Sequence, residues 1–187
     1  MPGAVISLDE GERRALLDLA RTAIEARLTG RPVPSVPALG LETPVPSGVF
    51  VTLRLHDRLR GCIGAIDTTD PLPELVTRVA ADAATEDPRF PPLPADALAE
   101  VQLEISVLGP LEPVRDPAGI EVGRHGLVVE QGERRGLLLP QVRTEWGWDR
   151  DTFLAQTCRK AGLASDAWQR GAILYRFEAL VFAEAAR

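Results

Sequence analysis

The chain has 187 residues, 45% of them apolar and 26% charged, which is enough for one domain with a sizeable core. A formal net charge of −6 argues against a non-specific binder of nucleic acid or anionic membrane, since such proteins carry a basic excess. Two cysteines far apart and no CxxC speak against a zinc ribbon or disulfide framework. No apolar run is long enough to cross a bilayer and no signal peptide is read, so a cytoplasmic protein is expected.

Residues from about Asp9 to Leu28 predict an amphipathic helix, with Leu16, Leu17, Ala20, Ala23, Ile24 and Leu28 near helical spacing. Ser7 is expected as its N-cap, with Glu10 completing a capping box, and Gly30 as its end. The proline-rich stretch 31–48 predicts an extended segment. Val49–Leu55 and Arg58–Ile66 predict a hairpin around His56-Asp57, followed by a helix from Pro71 to about Glu86. Glu86 to Pro92 predicts a rigid loop. Val101, Leu103, Ile105 and Val107 alternate with polar residues, as a half-buried strand does. Leu127–Glu130 and Arg134–Pro140 predict a second hairpin around Gln131-Gly132. Asp149 opens a helix with Phe153, Leu154, Thr157, Cys158 and Ala161 on its apolar face, and Leu174–Ala183 closes with a strand.

The order hairpin, helix, strand occurs twice, at an offset of about 75 residues. This predicts an α+β fold: a mainly antiparallel sheet from two related halves, with helices packed on it. A single domain over 1–187 is expected, divisible into subdomains of about 48–110 and 120–184 with the N-terminal helix packed on the whole. The halves would share one sheet and leave a groove where they meet.

Leu59-Arg60-Gly61-Cys62-Ile63-Gly64 concentrates the chemistry. Glycines inside a strand mark a bulge or a close approach by another backbone or a ligand, which makes Gly61 and Gly64 candidate binding positions. Strand alternation places Arg58, Arg60 and Cys62 on one face. A guanidinium beside a thiol favours the reactive thiolate, against the bland reading of a small buried hydrophobe. In the sister half, Arg135-Gly136 repeats Arg60-Gly61, whereas Cys62 and Gly64 face Leu137 and Leu139. The arginine and first glycine then belong to the scaffold, and Cys62 stands out. His125, Glu86, Asp87 and Glu104 are the acid–base candidates. Their plainer readings are a structural loop histidine and solvated or capping carboxylates. Cys158 reads as core. No metal-ligand spacing occurs, nor a P-loop, GxGxxG, HExxH or GxSxG.

These residues, together with Asp87-Pro88-Arg89-Phe90-Pro91-Pro92-Leu93, Glu104-Ile105-Ser106-Val107-Leu108, Gly123-Arg124-His125-Gly126, Leu137-Leu138-Leu139-Pro140-Gln141-Val142 and Cys158-Arg159-Lys160-Ala161-Gly162-Leu163, resemble the successive motifs of the AMMECR domain family. Its bacterial and archaeal members are called AmmeMemoRadiSam system protein A. The resemblance covers roughly residues 8–184. It implies a compact α+β domain with a curved sheet, and association with a Memo-like protein and a radical SAM protein. It brings no known reaction, and the cofactor stays unknown. Carried over by position, it marks Arg60, Cys62, Glu86, Asp87, Arg89, Glu104, His125 and Gln141 as candidate functional residues. Two readings follow. One is a thiol-dependent enzyme with Cys62 as nucleophile or redox centre, Arg60 lowering its pKa, and His125 or Glu104 moving protons. The other is a non-catalytic binding or scaffold module, contacted through Gly61, Gly64, Glu86, Asp87, Arg89 and Gln141. A nucleic-acid role rests only on the arginines of the first hairpin.

Overall fold

The computed structural model describes residues 6–33, 46–66 and 68–185. The chain forms two compact units, one of Ile6–Leu108 with Leu180 onward, the other of Gly109–Ala179. Most of the proline-rich stretch lies outside the described residues.

The first unit opens with α1 (Glu10–Thr29). Its N-cap is Asp9, two residues beyond the expected Ser7. The reason is reciprocal bonding: Glu12 N–H donates to the Asp9 carboxylate at 2.8 Å, and Asp9 N–H donates to Glu12 at 2.7 Å. Gly30 ends the helix in the left-handed region, at φ 67°. Strands β1 (Gly48–Leu55) and β2 (Arg58–Ile66) are joined through His56 and Asp57, both at positive φ, the backbone that a two-residue hairpin turn requires. α2 (Leu72–Thr85) and β3 (Val101–Leu108) follow. The strand order here is β2-β1-β3, and Glu184 N–H then donates to the Leu103 carbonyl at 3.0 Å. Leu16, Ala20 and Ile24 of α1, Val51 and Leu53 of β1, Leu75, Val79 and Ala80 of α2, and Leu103 and Ile105 of β3 share one core.

In the second unit β5 (His125–Gln131) lies between β6 (Arg134–Leu138) and β7 (Ile173–Ala183), whose residues up to Ala179 belong here. A short β4 (Glu112–Pro113) pairs with Arg176 and Tyr175. Two helices follow the hairpin, where the sequence predicts one. α3 (Pro140–Trp146) starts at a residue read as the end of a strand, and α4 (Arg150–Lys160) is capped by Asp149. Proline has no N–H for the ladder but suits the first position of a helix, so the strand stops at Leu138. The turn is Gly132-Glu133 instead of Gln131-Gly132, with Gly132 at φ 61°. Phe153, Leu154 and Cys158 of α4 pack with Leu127, Val129 and Leu174 in a second core.

Every registered strand pair is antiparallel, and helices pack on the strands, which makes the chain α+β. Each unit repeats hairpin, helix, strand. The repeat extends to one glycine. A Cβ at Gly61 would run into the Ala83 carbonyl of α2, and one at Gly136 into the backbone of Ala161 at the end of α4. Each hairpin thus draws its helix in against a bare α-carbon.

Candidate functional site

The face of the first unit's sheet that carries Cys62 is set by register. Thr52 stands between Cys62 of β2 and Glu104 of β3, so the three side chains form one row. The adjacent row, Gly61, Leu53 and Leu103, points the other way, toward α2. Between Leu53 and Arg54 the register shifts: Gly61 pairs with Leu53 and Leu59 with Arg54, leaving Arg60 as an extra residue. That bulge moves Arg58 to the side of its partner Leu55, so Arg58 and Cys62 do not share a face as simple alternation predicts. Arg60 does not reach toward the thiol either. Its guanidinium donates to the Pro92 carbonyl at 3.2 Å and lies over the Phe90 ring, 5.8 Å from the centroid.

The loop after α2 folds onto the edge of β2 at Cys62. The Cys62 N–H donates to Asp87 Oδ2 at 2.9 Å, and Arg89 Nη2 reaches the Cys62 carbonyl at 3.4 Å. The two side chains grip each other as a fork: Arg89 Nε to Oδ1 at 2.9 Å and Nη2 to Oδ2 at 2.7 Å. Asp87 is buried, its side chain 3% exposed, while that of Arg89 is 54% exposed. The Arg89 hydrogen bonds, reinforced by the Cys62 N–H, hold the Asp87 carboxyl well below the usual carboxylate range. β2 ends the strand order of its unit, so Asp87 and Arg89 together stand in for a neighbouring strand at one residue.

The thiol itself is half-buried. Burial pushes it above its ordinary value, and the nearby carboxylates Asp87 and Glu104 add to that. The Thr52 hydroxyl, donating to Sγ at 3.3 Å, and the Arg89 guanidinium pull the other way but do not prevail. The guanidinium acting on the thiol is Arg89's, and the expectation of a thiolate favoured by Arg60 gives way to a neutral thiol.

The close approach that strand glycines signal is made within the chain. Gly61 admits the α2 backbone. A Cβ at Gly64 would collide with the ring of Phe50, its cross-strand partner. The second unit has the same device at Gly126, whose Cβ would meet the ring of its partner Phe177. Glu86, the residue after α2, has an exposed side chain that accepts from Thr85 Oγ1 at 3.0 Å and pairs with Arg27 at 3.5 Å. It is a surface brace between the ends of α1 and α2.

His125 and Gln141 belong to the second unit. His125 is buried at the start of β5, and its Nδ1 accepts the Glu121 N–H at 2.8 Å. Burial lowers its pKa, helped by Arg176, so the ring is neutral at pH 7. Gln141 sits in the first turn of α3. Among the described residues no three His, Cys, Asp or Glu side chains converge as a metal site. Thr52 and Phe50 carried no signal in the sequence, because their place beside Cys62 and Gly64 depends on strand register.

The AMMECR1 family model matches residues 17–182. A protein of Methanothermobacter thermautotrophicus is 46% identical, over 98% of this chain and 99% of its own length. One from Methanosarcina barkeri is 44% identical, over 95% and 92%. The crystal structure of an uncharacterized protein from Pyrococcus horikoshii superposes with a TM-score of 0.82 at 43% identity, covering 90% of this chain and 89% of that one. No helix among the described residues is long and apolar enough to cross a membrane.

Proposed function

The chain belongs to the AMMECR1 family, and on that premise we propose that it is a binding module whose working surface is the Cys62–Thr52–Glu104 row, acting beside Memo-like and radical SAM proteins. The observation that carries this reading is the state of Cys62. Its half-buried thiol is pushed above the ordinary range by burial, and both its peptide groups are engaged by Asp87 and Arg89. A neutral thiol is a poor nucleophile and a serviceable hydrogen-bonding contact. The flanking glycines support the same reading, since each accommodates a part of this chain, which leaves the half-exposed Cys62 and Glu104 side chains, on either side of the buried Thr52, to meet a partner.

The test is alkylation of the native protein by iodoacetamide across pH, with peptide mapping to separate Cys62 from the buried Cys158. The expected rate for Cys62 climbs only above the ordinary thiol range, about pH 8.5. A rate already at its plateau near neutrality overturns the reading in favour of a thiol nucleophile. Calorimetric titration with a purified Memo-like protein then addresses the partner. Binding that survives Thr52→Trp in a folded protein removes the row as the contact surface.

A further inference from the structure

Arg89 has two acceptors that belong to one small assembly, the Asp87 carboxylate and the Cys62 carbonyl. Asp87 in turn accepts from the Cys62 N–H, so carboxylate, guanidinium and peptide close a ring around the residue that bears the thiol. The carboxylate is almost wholly buried and the guanidinium is more than half exposed. A buried carboxylate has few ways to be neutralised, and here the cation beside it does so. The same cation pulls the thiol the other way from its burial.

We propose that Asp87 is a positioning residue that holds the Arg89 guanidinium on itself and on the Cys62 peptide, so that a cation stands beside the thiol with its charge masked. The inference rests on the reading of Cys62 as a neutral thiol and adds, beside burial, a second contribution that keeps it so. Other groups face Cys62 too: Thr52 on β1 with Arg54 two residues along, and Glu104 on β3, while Arg60 of its own strand turns away over Phe90. Glu104 acts in the same sense as Asp87. Asp87 differs in being bonded to Arg89, a cation that opposes it. Removing its charge while keeping its shape unmasks Arg89, whereas removing Arg89 leaves two carboxylates facing the thiol.

The pH midpoint of Cys62 alkylation reads this through the pair of variants, because greater exposure would lower the midpoint in either one, whereas loss of the guanidinium alone raises it. In Asp87→Asn the midpoint is expected to fall by about one pH unit, as an unmasked cation within hydrogen-bonding range of the residue requires. In Arg89→Gln it is expected to rise, with Arg89→Lys closer to wild type because it keeps the charge. A midpoint unchanged or raised in folded Asp87→Asn overturns the proposal. If circular dichroism shows that variant unfolded, Arg89→Gln decides: a rise supports the masking and no rise overturns it. These are differences between variants, so they stand apart from the wild-type midpoint, which tests the binding reading.

Discussion

β2 and β6 each carry an arginine followed by a glycine, and in both the glycine lies where a helix backbone passes, Ala83 over Gly61 and Ala161 over Gly136. Beyond that glycine the strands diverge. β6 continues with Leu137 and Leu138, and its Arg135 pairs with Glu130 of the same hairpin at 2.8 Å. β2 continues with Cys62, its edge occupied by a loop carboxylate and guanidinium, and its arginine turned over Phe90. One architecture thus tolerates both an aliphatic side chain and a thiol at the same step. What differs between the units, Cys62 and its Asp87–Arg89 clip, is free to serve a purpose other than packing; what they share is the frame.

The largest effects should come from breaking the shared part. Gly61→Ala and Gly136→Ala each set a Cβ against a main chain that cannot rotate away, and each should cost about 3 kcal/mol in denaturant unfolding. If one site accepts alanine for under about 1 kcal/mol, the two glycines are not equivalent and the repeat is only formal. Smaller losses are expected where the obstacle is a ring. Gly126→Ala meets Phe177, which is 1% exposed, and should cost about 2 kcal/mol; Gly64→Ala meets the half-buried Phe50 and should cost about half as much. The reverse ranking would mean that Phe50 is the more tightly held ring.

The smallest effect sharpens the difference by pH. His125 has its pKa lowered in the fold, so its contribution is complete above the ordinary histidine value of about 6.5 and is lost as pH falls toward the depressed one. Unfolding curves at pH 7 and pH 5 should differ by about 1 kcal/mol more in wild type than in His125→Gln. Equal differences in the two proteins would mean that the ring is not held neutral by its surroundings.

Much of the frame was legible in the residues. The strict alternation from Val101 to Val107 reproduces β3, and Asp149 before the Phe153, Leu154, Cys158 stripe marks α4. α3 was hidden because three leucines running into Pro140 read as the end of a strand. At the site, proximity in sequence misled. Arg60 is two residues from Cys62, yet the guanidinium acting on the thiol comes from Arg89, 27 residues away. A bulge cannot be seen in a single strand, since it is a mismatch between two strands; the face of Arg58 therefore could not follow from alternation alone. Thr52 joins the row only through register.

The unit that holds Cys62 is also the one that the chain leaves and re-enters. Arg21 of α1 donates to Glu184 at 2.8 and 2.6 Å, and to the Leu98 and Val101 carbonyls at 2.8 Å each, across 163 residues of sequence in the first case. Glu184 also accepts the Leu103 N–H at 3.1 Å. During synthesis the bonds that need Glu184 must therefore wait while Gly109–Ala179 is made. Gly109–Ala179 can begin to fold as it emerges, but the earlier-made segment is sealed only when Glu184 arrives, which makes closure of the thiol-bearing unit a late, long-range event.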